Sequence, residues 1–183
     1  SNIVRTPTKP NAYFASDANT NLLTLQSYRL YDASSNNASV TSSGAVGLTP
    51  YNIFPYTSNY NSSTVGGAFV VGSTAPSYIT AFTTNEIAFA TGDFCIETWA
   101  YPLTTSGNGS IFAITGATTT PPAFVWSRIM RVGSTIAFYQ VDSTSTVKVN
   151  NVSLGTIAAA RWYHIAVYRI SGVIYGSLNG VVT

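Results

Sequence analysis

Charge is scarce in this chain. Of 183 residues only 8 are Lys or Arg and 6 are Asp or Glu, and the net charge is +2. The two lysines and six arginines form no run. They cannot track a phosphate backbone, which takes many clustered cations to release counterions, so no nucleic-acid partner is expected. Cysteine is nearly absent: Cys95 stands alone, which excludes an internal disulfide. His164 is the single histidine, and a zinc site or a catalytic triad would need companions that the sequence concentrates nowhere. No apolar run approaches the ~20 residues of a membrane-spanning helix, and no membrane partner is expected. The opening stretch "SNIVRTPTKPNAYF" lacks the apolar centre of a secretion signal. No stretch holds helical periodicity over three turns.

What remains is a chain whose polarity comes from hydroxyls and amides. Ser, Thr and Asn make up about a third of it, beside 12 Tyr and 9 Phe. Many β-branched, aromatic and turn residues describe an all-β sandwich or barrel. At this length one domain can bury a sizeable core.

Residues 1–18 contain Pro7 and Pro10 with little periodicity and read as an arm or linker. Residues 19–183 read as one β-domain. "NLLTLQSYRLYD" alternates weakly, as a strand does. "ASSNNAS" is a turn, and "ASVTSSGAVGLTP" one short strand ended by Gly and Pro. "YNIFPYTSNYNSSTVGG" is a long loop, followed by the short strands "GGAFVVGS" and "SYITAF". The pattern sharpens at "DFCIETWAYP", where Phe94, Ile96, Thr98 and Ala100 share one face and Cys95, Glu97, Trp99 and Tyr101 the other. Strands follow at "SIFAIT", "FVWSRIMRV", "TIAFYQVD", "TVKVN", "WYHIAVYRI" and "VIYGSL". Ser171-Gly172 and Asn179-Gly180 are two-residue hairpin signals, the latter suited to a type I′ turn. Many short strands at regular spacing describe a jelly-roll β-sandwich of two antiparallel sheets.

Three stretches carry a resemblance: "ATGDFCIETWAYP", "GSIFAITG" and "RWYHIAVYRISGVIYGSLNGVVT". Gly92, Asp93, Phe94, Ile96, Glu97, Trp99 and Pro102, then Trp162, His164, Ala166 and Arg169, then Asn179 and Gly180 resemble the laminin-G-like, concanavalin A-like lectin/glucanase jelly roll. The segment from Thr20 to Thr80 looks like the lead-in of such domains in structural proteins of marine tailed phages. Three positions depart from the pattern: Gly176 replaces a large apolar residue, Asn179 an Asp, and "VGS" at 71–73 a Phe-Asp-Gly. The family's domain normally continues with further closing strands, so the resemblance implies a sandwich incomplete at Thr183. A longer polypeptide or a neighbouring subunit would then supply the rest.

Glu97 is the carboxylate that most invites a catalytic reading. A retaining glycosidase sets two carboxylates ~5–5.5 Å apart, yet the same-face neighbours of Glu97 are Cys95 and Trp99. No Glu-x-Asp-x-Glu pattern occurs elsewhere. The expected role is a structural ion pair, with Arg128, Arg131 or Arg169 on a neighbouring strand as partner. His164 reads as a hydrogen-bonded structural residue and Cys95 as a small filler. Trp126, Arg128 and Tyr139 can bind sugar by ring stacking and planar hydrogen bonding, or simply pack between strands. No metal site is expected and no cofactor, since no acidic cluster supports calcium. Four glycosylation sequons begin at Asn37, Asn61, Asn108 and Asn151.

The resemblance then implies a non-enzymatic module on a virion surface: a fibre, an appendage or a capsid decoration present as a homo-oligomer or in many copies. Its expected partners are other virion proteins and host or environmental glycans. The alternative is a bacterial extracellular or cell-surface adhesion protein with the same domain, and a third reading is a glycoside hydrolase or lyase of this fold.

Overall fold

A computed structural model describes residues 16–24, 30–49, 68–71, 77–81, 92–114, 126–141 and 146–183. The chain forms two compact units, one of Pro7–Ile87 and one of Ala88–Thr183 with the first six residues. No helix occurs among the described residues. The expected arm at 1–18 lies almost wholly outside them, as do the long loop at 51–67 and the "GS" of the "VGS" tripeptide.

The first unit holds four short strands: β1 (Val40–Ser43), β2 (Val46–Thr49), β3 (Ala68–Val71) and β4 (Tyr78–Ala81). β1 pairs with β4 and β2 with β3, both antiparallel. The sequence reading made one strand of "ASVTSSGAVGLTP". Gly44, at φ 73°, breaks it into two strands that join different partners. The strand expected at "NLLTLQSYRLYD" has its centre, residues 25–29, outside the described residues, and Asp32 is the last residue of that stretch. The buried Asp32 carboxylate accepts the backbone N–H groups of Leu23 (2.9 Å), Ser34 (2.8 Å) and Ala38 (2.9 Å) and the Ser34 hydroxyl (2.7 Å).

The second unit is the sandwich. One sheet runs in the order β12-β11-β10-β5, with β5 (Phe94–Ala100), β10 (Tyr163–Ile170), β11 (Val173–Leu178) and β12 (Val181–Val182). The other runs β6-β7-β8-β9, with β6 (Asn108–Ile114), β7 (Trp126–Val132), β8 (Thr135–Val141) and β9 (Val147–Thr156). Every pairing is antiparallel. Phe94, Ile96, Ile165, Val167 and Leu178 of the first sheet meet Ile129, Ile136, Phe138 and Leu154 of the second in one apolar core. Alternation places them there: on β5 the predicted inner residues Phe94 and Ile96 are buried. The two hairpin signals are type I′-like turns, with Ser171, Gly172, Asn179 and Gly180 all at positive φ.

β9 is longer than the expected "TVKVN" and far less regular. Its pairing with β8 shifts three times, each time with one extra residue on β9. These bulges break the period of two that reveals a strand in sequence.

Candidate functional site

The residues that carry the family pattern lie together on β5, β10 and the two turns that bracket β11. Arg169 donates from Nε (2.7 Å) and from Nη2 to the Gly92 carbonyl, and its guanidinium lies 5.1 Å from the Phe94 ring centroid. Asp93 Oδ1 accepts the Ser171 N–H at 2.9 Å, tying the start of β5 to the β10–β11 turn. At the other end of β10, the Asn179 side chain accepts the His164 N–H at 2.9 Å, while the His164 carbonyl accepts the Asn179 N–H at 2.8 Å. Asn179 can do this because it sits in a left-handed turn at φ 52°. That conformation suits Asn better than a branched residue, and the exchange of Asp for Asn keeps the acceptor.

Between these ends lies the pair that decides the role of Glu97. His164 Nε2 and Glu97 Oε1 are 2.7 Å apart, with side chains only 7% and 15% exposed. The Trp99 ring tilts against the imidazole at 4.9 Å. Register explains the meeting. Trp99 stands opposite His164 and Glu97 opposite Ala166, so Glu97 and His164 are diagonal neighbours on one face. The expected arginine partner is corrected here. Arg128 and Arg131 belong to the other sheet, and Arg131 Nη1 donates to the Gly107 and Gly133 carbonyls at 3.0 and 3.1 Å. Arg169, on β10, is turned to Gly92. The outer face of this sheet continues as a row of rings, with Tyr101 on Trp162 (5.3 Å) and Tyr168 stacked on Tyr175 (5.4 Å).

Cys95, at the exposed end of the same face, has Tyr168 opposite it. Desolvation first, and the Glu97 carboxylate second, push its thiol up to about 12. Both effects oppose the thiolate, so Cys95 lacks the low pKa of a nucleophile.

Trp126, Arg128 and Tyr139 fall on the second sheet. Arg128 stands directly opposite Tyr139, and Trp126 is two residues along β7 on the same face. That is the face turned away from Ile129 and Phe138 in the core. Arg128 and Tyr139 are half-buried. Backbone register therefore brings the three candidates together. Among the described residues no group of three His, Cys, Asp or Glu gathers as a metal site.

Sequence reading missed two features. One is the Asp32 node, whose carboxyl burial would raise but whose hydrogen bonds, from Ser34, Leu23 and Ala38, together hold below the usual range. The other is a lock between β9 and β11. A Cβ on Gly176 would lie 2.0 Å from Leu154 Cδ2, and one on Gly155 would lie 2.7 Å from Leu178 Cδ2. Leu154 thus fills the space that a large residue at 176 would take, which accounts for that departure from the family pattern.

No curated protein and no solved structure matches the chain. The family model described as the concanavalin A-like lectin/glucanases superfamily, a laminin-G-type domain, matches residues 73–183. That span takes in both sheets of the sandwich, its cross-strand fastenings and the two hairpin turns, and the chain belongs to the concanavalin A-like lectin/glucanases superfamily.

Proposed function

We propose that this chain is a non-catalytic adhesion module that binds glycans and is displayed in many copies on the surface of a tailed-phage particle, docked to other virion proteins. The observation that supports it is the engagement of Glu97. Of the carboxylates on the described sandwich, it is the one set in the middle of a strand. It is held by His164 at 2.7 Å, and its same-face and cross-strand neighbours are Cys95, Trp99 and Ala166. A glycosidase would set a second carboxylate within ~5–9.5 Å of the first, according to stereochemistry, and none of these neighbours is one. The family positions serve as clips between strands, and Tyr139, opposite Arg128, with Trp126 on the same strand as Arg128, are the residues assigned to sugar stacking. The phage setting rests on the resemblance of the lead-in segment, and no cofactor is required.

Shallow sites with one or two rings bind weakly, and linked copies raise avidity ~10²–10⁴-fold. The test is a glycan array probed with a multimerised form of the full chain. Binding by wild type that is lost in Trp126→Ala/Tyr139→Ala supports the reading and its residues. Equal binding by both removes those residues. Hydrolysis of any arrayed glycan that disappears in Glu97→Gln overturns the non-catalytic reading.

A further inference from the structure

In the first unit, β1 and β4 form a ribbon with two unlike faces. They pair in register, with Ser43 opposite Tyr78 and Thr41 opposite Thr80. Residues two apart on a strand share a face, as do residues directly opposite, so these four stand together. Thr41, Tyr78 and Thr80 are exposed and Ser43 is half-buried. The other face carries Val40, Ser42, Ile79 and Ala81, and its three apolar residues are half-buried. One side of the ribbon therefore packs, and the other presents aliphatic hydroxyls around a phenol. Tyr78 is 50% exposed, the most exposed aromatic side chain among the described residues, whereas Tyr139 is half-buried. The turn beyond Ser43 is fastened: the Ala45 N–H donates to Ser77 Oγ at 3.1 Å and the Val46 N–H to the Gly44 carbonyl at 3.0 Å. Gly44 and Ala45 are themselves exposed and offer no bulky side chain to cover the ring.

No charged residue stands on either strand, so this face offers ring contact and hydrogen bonds but no ion pair. A neutral hexose matches both. Its axial C–H bonds make one face of the pyranose apolar enough to lie on an aromatic ring, and its hydroxyls surround that face. Tyrosine supplies such contact area at low entropic cost, and small hydroxyl side chains beside it adapt their hydrogen bonds. Opposite side chains ~4.5–5.5 Å apart and same-strand ones ~6.8 Å apart give the four positions the footprint of about one sugar ring. The ladder and the fastened turn hold the backbone in place, which lowers the ordering cost of binding. We propose that the Tyr78 face of the β1–β4 ribbon is a contact site for a flat, β-linked chain of neutral hexoses. One pyranose lies on the Tyr78 ring, and its hydroxyls meet Thr80, Ser43 and Thr41. The inference rests on the carbohydrate-binding reading above and adds a second surface to it.

The experiment is NMR on the full chain with ring-labelled tyrosine, titrated with cellobiose and lactose into the high millimolar range. The resonance lost in Tyr78→Phe identifies Tyr78. It should shift with both disaccharides, and their affinity should change less than about twofold between roughly 50 and 500 mM salt, because no charge takes part. On a neutral β-glucan surface, Tyr78→Ala should weaken binding of a multimerised chain about tenfold or more, since each copy loses its ring. Tyr78→Phe keeps the ring and most of the binding. Thr80→Val removes one hydroxyl at nearly constant shape and should cost ~2–10-fold, the worth of one hydrogen bond. A Tyr78 resonance unmoved by both sugars overturns the proposal, as does equal binding by multimerised wild type, Tyr78→Ala and Thr80→Val. Should glycan binding vanish only in Trp126→Ala/Tyr139→Ala, the ribbon site falls and the carbohydrate reading stands. Should no sugar bind, even to a multimerised chain, both fall.

Discussion

Gly176→Val should be destabilising alone and tolerated when Leu154 is also shortened. A Cβ at 176 would lie 2.0 Å from Leu154 Cδ2 and 3.3 Å from its Cγ. The first contact requires the leucine to move, and the second leaves it little room. Overpacking of this kind costs ~1–3 kcal/mol, offset in part by the higher strand preference of Val, within the ~1 kcal/mol span of that scale. Leu154→Ala removes three carbons from a residue only 3% exposed and should cost ~2–5 kcal/mol. The double variant restores the carbon count, since Val adds to Gly the three that Ala lacks from Leu. Its destabilisation should fall short of the sum of the singles by ~1–3 kcal/mol, a coupling typical of residues in contact. Urea unfolding followed by tryptophan fluorescence reads this directly, because Trp99, Trp126 and Trp162 all lie in the sandwich unit. Gly109→Val is the control: nothing lies within 4 Å of its Cβ position, and it should change stability by less than ~0.5 kcal/mol. Additivity of the two singles within ~0.5 kcal/mol would show that Leu154 and Gly176 do not share that space.

Glu97→Ala should lower stability by ~1–3 kcal/mol by leaving a buried imidazole nitrogen without its partner, and Glu97→Gln, which can still accept or donate there, by less. Urea midpoints for the two variants check this, and a Glu97→Ala as stable as wild type would refute the structural role. The Asp32 carboxyl is held below its unfolded value, so it contributes stability above about pH 4 that is lost as pH falls through the folded value. Asp32→Asn should therefore melt lower at pH 7 by circular dichroism, and its deficit should shrink on acidification; a deficit that grows below pH 4 would reverse the sign. With its thiol pushed up by desolvation and by the Glu97 carboxylate, Cys95 should react with iodoacetamide at pH 8 more slowly folded than in urea, since the thiolate is the nucleophile. Equal rates would show that the sheet surface does not disfavour the anion.

β5, β10 and β11 are legible in the sequence because each is a short run rich in β-branched and aromatic residues that ends at Pro102, Ser171-Gly172 or Asn179-Gly180. Ser171-Gly172 and Asn179-Gly180 are legible because only a few residues accept positive φ. The Asp32 node is not legible in the sequence, because nothing in the alternation of "NLLTLQSYRLYD" shows that one carboxylate draws in three backbone N–H groups. β9 was cut short for a related reason, since each bulge shifts the apolar positions by one and erases the pattern. The register that sets Arg128 opposite Tyr139 is legible because a short turn joins β7 and β8.

The sequence by itself determined the all-β class, the inner face of β5, the two type I′-like turns and the family, because these depend on local backbone preference and on a period of two. Tertiary structure alone decided what Glu97 meets. Its sequence neighbours suggested an arginine, but the partner depends on which strand lies beside β5 and in which register. The answer, His164, is 67 residues away along the chain. It decided equally that Gly176 is needed, because the residue that fills its place, Leu154, comes from the opposite sheet and is aimed there by a bulge. Contacts of that kind are set by packing between layers, where shape and volume must match, and that match is not encoded in either strand alone.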